Sequence, residues 1–232
     1  MTAATGSAAA APAGPAVTAT AADIPVLAEV IAEAFFDLPP SRWLVPDRAE
    51  RRRIWPGYFR ICLEHALAAG AVHTTPGRDA AALWFPAGQS PPDPPEGYAE
   101  ALAEITGSYH DRFTAFDAAL DQRHPTGFAH HHLAILAVRS DRQGQGTGTA
   151  LLQAHHRHLD TIRQPAYLEA SSERTRRVYS HHGYADYGPP VVLPDGPSLF
   201  PMVRQPRSEA LAAAARRAEG PWPVPPAQRN EP

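Results

Sequence analysis

A glycine-rich turn, Gln143–Gly148, stands between an apolar run and a helical pattern, and its residue types could bind an anion. The run before it, His131–Val138, is nearly continuous in apolar residues and predicts a central strand buried on both faces. Thr149–Ile162 then has the spacing of a helix. Such a turn aims free backbone N–H groups and the positive end of a helix dipole at one point, so it predicts a phosphate site.

Glycine spacing distinguishes the known kinds of phosphate-binding turn. A P-loop requires Gly-Lys-Ser/Thr, and the chain contains no lysine. A dinucleotide turn requires G-x-G-x-x-G, but Gly144, Gly146 and Gly148 alternate, and Thr149 stands where the third glycine belongs. The pattern that remains is Q-x-x-G-x-G, beginning at Gln143. An ordinary glycine-rich turn is the alternative interpretation.

Two more elements follow the turn in a definite order. Ala166–Ala170 predicts a strand, and the helix predicted over about Ser172–His182 is ended by Gly183. Tyr179 lies on that helix, a few residues before the Gly183-Tyr184 pair. Turn, strand and tyrosine in this order resemble the GNAT acetyltransferases, in which the turn binds the pyrophosphate of coenzyme A.

The resemblance implies a fold, a cosubstrate and a set of binding residues. The fold is α/β of GNAT type, a mixed central sheet with splayed strands flanked by helices, and the cosubstrate is acetyl-CoA. The implied cofactor-binding residues are the turn and the two residues that end the strand before it: Ala137, Val138, Gln143, Gly144, Gln145, Gly146, Thr147 and Gly148.

A closer resemblance is to puromycin N-acetyltransferase and related actinobacterial GNAT proteins. It is carried by the segments AEAFFDLP, RWLVPDR, PAYLEASSERTRRVY and VVLPDGPSLFPMVRQP. The likeness extends from about Asp23 to Pro206 but is patchy between Val72 and Phe128, where substrate-facing segments vary. The identity of the substrate therefore does not follow from it.

Tyr179 is the candidate acid for acetyl transfer from a thioester. The reaction needs a proton for the departing thiolate, and a phenol, with a pKa near ~10, stays protonated at neutral pH. The alternative is a tyrosine that only packs against the cofactor.

His132 is the candidate base that removes a proton from the amine. His130 and His132 share one face of their strand, because side chains alternate with period two. His132 lies six residues before Val138, where some GNAT enzymes carry a base, and arylalkylamine N-acetyltransferases have a similar histidine pair. Sequences like puromycin N-acetyltransferase lack this histidine, so an imidazole that lines the core or the substrate is the alternative.

Glu169 and two backbone amides complete the candidate site. Glu169 ends the next strand and could bind the substrate amine or orient a water; a structural acid paired with an arginine is the alternative. The resemblance places the oxyanion against a backbone N–H around Ala137 or Val138.

Other histidines and the single cysteine are given structural roles. His155 and His158 are one turn apart without a recognisable ligand set, so a helix facing solvent explains them and no metal site is expected. His156, His181 and His182 belong to the same interpretation. Cys62 lies in an amphipathic helix and is read as a small core residue.

Composition narrows the classes of protein further. The 232 residues carry a net charge of −3, which gives no basic excess for nucleic acid or anionic membranes. Cys62 is the single cysteine, so no intramolecular disulfide can form, and a cytoplasmic location is expected. We expect a leader over residues 1–14, one acetyltransferase domain over 15–206, and an Ala/Arg/Pro-rich tail over 207–232.

Periodicity predicts the remaining elements. The first helix begins at Asp23 and ends near Phe36, and a proline-broken loop follows. The second helix is predicted over about Arg48–Ala69, with Ile54, Tyr58, Ile61 and Leu67 on one side. The other predicted segments are a hairpin of Val72–Thr75 and Ala80–Phe85, a helical stretch over about Gly97–Asp121, and short strands near Pro190–Leu193 and Leu199–Arg204.

The sequence therefore predicts an acetyl-CoA-dependent N-acetyltransferase that acts on a primary amine of a small molecule, such as an antibiotic or an aryl- or alkylamine. Acetyl transfer would occur by direct attack in a ternary complex. Two alternatives stay open: acetylation of a peptide or protein N-terminus, and a catalytically silent acyl-CoA-binding module. Either a monomer or a homodimer is compatible with the sequence.

Overall fold

The computed structural model describes residues 15–88 and 96–207, so the expected leader and all but the first residue of the expected tail lie outside it. The helices are α1 (Ile24–Phe35), α2 (Pro39–Leu44), α3 (Arg48–Ala69), α4 (Tyr98–Thr106), α5 (His110–Asp121), α6 (Thr147–Ile162) and α7 (Glu173–His181). The strands are β1 (Val17–Thr18), β2 (Ala71–Thr74), β3 (Ala80–Ala87), β4 (His130–Val138), β5 (Ala166–Ala170), β6 (Tyr184–Asp186), β7 (Val191–Val192) and β8 (Ser198–Arg204).

The strands form one mixed sheet in the order β1-β2-β3-β4-β5-β8-β6, with β7 paired to β8. All neighbours are antiparallel except β4 and β5, which run parallel. The predicted central strand is therefore confirmed as β4, and the predicted mixed central sheet is confirmed with it.

The two faces of the sheet carry separate hydrophobic cores. On one face α1 and α3 pack through buried residues such as Leu27, Ile31 and Leu63. On the other face α6 packs through Leu151 and Leu159. A sheet covered on both sides holds its central strands rigidly, so side chains projecting from β4 and β5 are well positioned for chemistry.

Three local predictions were wrong or incomplete. The loop expected after the first helix contains α2, because Pro39 and Pro40 occupy a first helical turn, where a missing N–H costs nothing. β6 was not predicted at all. In α3 the buried face is Ile54, Trp55, Phe59, Leu63 and Ala66, and the predicted Tyr58, Ile61 and Leu67 flank it half-buried.

Within residues 15–88 and 96–207, no helix combines the length and the apolar character needed to cross a membrane.

Candidate active site

The sheet opens between β4 and β5. Their pairing is confined to His131 with Ala166 and His132 with Tyr167, whereas β3 pairs with β4 along its whole length. A bulge interrupts that second ladder, because Leu83 opposes Ile135 and Trp84 opposes Leu133. The extra residue, Ala134, is exposed within an otherwise largely buried strand. Beyond the bulge, a cleft therefore separates β4 from β5.

The bulge is followed by backbone amides that face this cleft. The amide of Arg139 donates to the carbonyl of Asp79, on the β3 side, at 2.8 Å. Since amides alternate along a strand, the N–H of Ala137 also faces β3, and those of Leu136 and Val138 face the cleft. Of the two strand residues expected to bind the acetyl group through an N–H, only Val138 is oriented to do so.

The glycine-rich turn at the end of β4 has an open, left-handed backbone. Gly144 and Gly146 have φ of +75° and +83°, and a Cβ on either would meet no atom within 4 Å. Both glutamine side chains brace the turn: Gln143 Nε2 donates to the carbonyl of Val138 at 3.0 Å, and Gln145 Nε2 donates to that of Asp141 at 2.8 Å. These glycines are therefore required by conformation and leave the turn's surface accessible.

The turn leads directly into the N-terminus of α6. The first helical hydrogen bond runs from Ala150 N to Gly146 O at 2.9 Å, so the N–H groups of Thr147, Gly148 and Thr149 have no acceptor within the helix. Gly148 backs onto the end of β4, where a Cβ would lie 3.5 Å from Val138 Cγ2. Together with the helix dipole, these amides form the kind of anion site that the sequence predicts.

Tyr179 lies half-buried on α7, over the core shared with α6. Its ring meets that of Tyr184 edge-on, with centroids 5.7 Å apart. Burial raises the pKa of Tyr179, and no charged or hydrogen-bonded neighbour contributes to that shift. The phenol is therefore fully protonated at neutral pH, as an acid for a thiolate must be.

His132 and Glu169 form a close pair on the opposite face of the sheet. Nε2 of His132 donates to Oε2 of Glu169 at 2.8 Å, and the two side chains are 14% and 6% exposed. Burial alone would raise the pKa of Glu169, but the charge and hydrogen bond of His132 outweigh it and hold that pKa below its ordinary value. Glu169 is thus a carboxylate at neutral pH, partnered by a histidine and not by an arginine.

Alternation along β5 explains why the tyrosine and the histidine pair lie on different faces. Leu168 and Ala170 point into the α6 core that Tyr179 covers, whereas Tyr167 and Glu169 point to the other side. The cleft between β4 and β5 connects the two faces. A group lying in it could be reached by a proton donor from one side and by a base from the other.

His124 is a further residue of this region, and sequence reasoning missed it. It follows α5, is 8% exposed, and lies against the rings of His132 and Tyr167, with centroid distances of 5.2 and 5.1 Å. Its Nε2 is 3.0 Å from Nε2 of His130, whose Nδ1 donates to the carbonyl of Phe128 at 3.1 Å. No spacing signal marks His124, because a loop brings it to β4.

The histidines of α6 do not all face solvent as expected. His155 is buried between His73 and His131, with nitrogen separations of 2.9 and 3.0 Å, and is stacked on Trp84. His156 is buried against the hydroxyl of Tyr184 at 2.9 Å. The solvent-facing interpretation was wrong for His155 and His156, since this face of α6 covers the sheet. Of the three histidines on α6, His158 is the exposed one.

Metal and thiol chemistry find no support in the part of the chain that the structure describes. No group of three or more His, Cys, Asp or Glu side chains there is arranged to hold a metal ion. Burial raises the pKa of Cys62 to about 12, so its thiol is not a nucleophile at neutral pH.

Part of the chain matches a known family of proteins. Residues 104–205 match the family model of the acetyltransferase (GNAT) domain. A solved acetyltransferase of Corynebacterium glutamicum, described as histone acetyltransferase HPA2 and related acetyltransferase, is 26% identical, with a TM-score of 0.63 over 84% of this chain and 97% of that one.

Two further solved structures share the fold at lower identity. Arylalkylamine N-acetyltransferase 2 of Aedes aegypti is 18% identical, with a TM-score of 0.57 over 83% of this chain and 98% of that one. An agmatine N-acetyltransferase is 15% identical, with a TM-score of 0.50 over 82% and 98%. Residues 104–205 hold the glycine-rich turn, Tyr179 and the His132–Glu169 pair, so the matched region includes the whole candidate site. The matched domain model and the fold shared with solved acetyltransferases together indicate that the chain is an N-acetyltransferase.

Proposed function

We propose that this protein transfers the acetyl group of acetyl-CoA to a primary amine of a small molecule, by direct attack in a ternary complex. The observation that carries the proposal is the opened sheet, with Tyr179 on one face of the cleft and the His132–Glu169 pair on the other. Two substrates that enter from opposite faces can react in such a cleft without a covalent enzyme intermediate.

The turn and α6 suit the pyrophosphate of coenzyme A. The N–H groups of Thr147, Gly148 and Thr149 and the exposed backbone of Gly144 and Gly146 converge at one helix N-terminus. The pantetheine arm would then run along the cleft beside β4. The carbonyl oxygen of the acetyl group would accept from the N–H of Val138 or Leu136, which face the cleft.

Proton movements follow from the side-chain pairs. Since Nε2 of His132 donates to Glu169, Nδ1 of the neutral ring carries the lone pair and takes the proton that the amine loses. Glu169 is too buried to reach a substrate and acts by fixing that tautomer. As the new N–C bond forms and the C–S bond breaks, the O–H of Tyr179 protonates the departing thiolate and is restored from solvent.

The acceptor class is the least constrained part of the proposal. Resemblance to puromycin N-acetyltransferase favours an antibiotic amine, and the fold neighbours act, by their names, on arylalkylamines and agmatine. All of these acceptors are primary amines or carry one. A cytoplasmic location is part of the proposal, since the single cysteine forms no disulfide.

Thiol release from acetyl-CoA tests the proposal. The panel comprises aminonucleosides, arylalkylamines, agmatine, aminoglycosides and short peptides, with mass spectrometry of the products. We expect turnover with one small-amine class and a loss of about 10²-fold or more in kcat for Tyr179→Phe. Tyr187→Phe, at an exposed tyrosine, is the matched control. Acetylation of peptides alone, or coenzyme A binding without turnover of any amine, would contradict the proposal.

A further inference from the structure

The His124 imidazole lies in the same pocket as the candidate base but has no part in the proposed proton transfers. Its ring stands nearly perpendicular to that of His132, at 77°, with the centroids 5.2 Å apart. It is also in edge contact with Tyr167, and only 8% of it is exposed. A buried polar ring at this place is costly unless its nitrogens have partners.

Hydrogen-bond geometry fixes the tautomer of His124. The carbonyl of Phe128 can only accept, so Nδ1 of His130 carries a hydrogen and its Nε2 carries a lone pair. Nε2 of His124, 3.0 Å away, must then be the donor. Nδ1 of His124 is left with a lone pair and without a hydrogen.

The hydrogen-bonded imidazoles of His124 and His130 both stay neutral at neutral pH. Burial lowers the pKa of His124 to about 4, with the neighbouring His132 adding to the shift, and burial also lowers the pKa of His130. His132 differs because its Nε2–H is bonded to the carboxylate of Glu169, which fixes the tautomer of the ring. His124 and His132 therefore both present a lone pair at Nδ1, but only His132 is hydrogen-bonded to a carboxylate.

We propose that His124 is an acceptor-binding residue: its Nδ1 accepts one N–H of the substrate amine, while Nδ1 of His132 accepts another. This inference rests on the proposed function and specifies which amines the site takes. A primary ammonium has three N–H groups and can satisfy both rings with one to spare. An N-methyl ammonium has two and loses one contact whenever its methyl group occupies the position facing His124.

The charges around the pocket agree with a cationic ligand. Asp121, at the end of α5, has its pKa raised by burial and by the negative charge of Glu169. Among the described residues, neither of these acids forms an ion pair with an arginine. An ammonium group would balance them.

The test compares phenethylamine with N-methylphenethylamine, as kcat/KM for thiol release. Wild type should favour the primary amine, and His124→Phe should reduce that preference by about 10- to 150-fold, the worth of one hydrogen bond to a charged group. Phenylalanine keeps a ring against His132 and Tyr167. His124→Asn keeps an oxygen acceptor near the position of Nδ1 and should retain most of the preference.

The ratio is taken within each variant, so a general loss of folded or active protein cancels. His158→Phe, at an exposed histidine of α6, is the control and should leave the ratio unchanged. An unchanged ratio in His124→Phe would overturn the inference while leaving the proposed function intact. If wild type acetylated neither amine, calorimetric affinities of both for the protein saturated with coenzyme A would give the same ratio. The proposed function would then be decided separately, by the full amine panel.

Discussion

Buried histidines should make this fold sensitive to mild acid. His124, His155 and His156 are 8%, 4% and 6% exposed, and burial, with smaller effects of neighbouring cations, lowers their pKa values to about 4, 2 and 3. Unfolding returns each ring to a pKa of about 6.5. The unfolded chain therefore binds more protons than the folded one below that pH, and stability falls as the pH drops through ~6.5.

The size of the effect follows from these shifts. Between pH 7.5 and 5.5 each ring costs about 1.4 kcal/mol, or roughly 4 kcal/mol for the three together. Asp117 acts in the opposite direction, because burial raises its pKa to about 6 and the folded state gains a proton there on acidification. That gain is worth about 1 kcal/mol. The free energy of unfolding should therefore fall by roughly 3 kcal/mol, a large share of a typical domain's stability.

Urea unfolding followed by tryptophan fluorescence at pH 7.5 and 5.5 measures this difference. His155→Gln removes one titrating ring and should reduce the loss by about 1.4 kcal/mol, whereas His158→Gln, at an exposed position, should not change it. Equal stability at the two pH values, or equal losses in the two variants, would refute the reasoning.

Three further predictions concern the site. Tyr179→Phe should lower kcat by about 10²-fold or more while leaving the calorimetric affinity for coenzyme A within about threefold, and a parallel loss of affinity would mean a packing role instead. Glu169→Gln should lower kcat/KM by about 10- to 100-fold and change its pH profile, because the ring loses its charged partner; an unchanged profile would count against pairing with His132. Gly146→Ala should raise KM for acetyl-CoA, because the φ of +83° at this position costs an L-residue about 1–2 kcal/mol. Gly148→Ala should have a smaller effect, because the added Cβ makes an ordinary contact. Similar KM values for the two alanine variants would argue against a role for the left-handed turn.

Local patterns predicted the parts of the site that lie close together in sequence. The apolar run of β4, the glycine spacing and the helix after it are short-range features, and all appear where the sequence indicates them. The limits of α3 follow from Asp47, whose side chain caps the helix by accepting from the N–H of Glu50, and from Gly70 at its end.

Long-range features could not be predicted from the same patterns. The bulge at Ala134 decides which amides face the cleft, but alanine carries no sequence signal for a bulge. His124 joins the site because the loop after α5 lies against His130 and His132 of β4, a long-range contact that no local period records. The burial of His155 likewise depends on Trp84 and His131, which lie on two other strands.

Initial velocities of thiol release, with acetyl-CoA and the best amine both varied, test the central claim most directly. Direct transfer between two faces of the cleft predicts intersecting double-reciprocal lines for wild type and the same pattern with a much lower kcat for Tyr179→Phe. Parallel lines would indicate a covalent acetyl-enzyme, and an unchanged kcat in the variant would remove Tyr179 from the chemistry; either result would contradict the account.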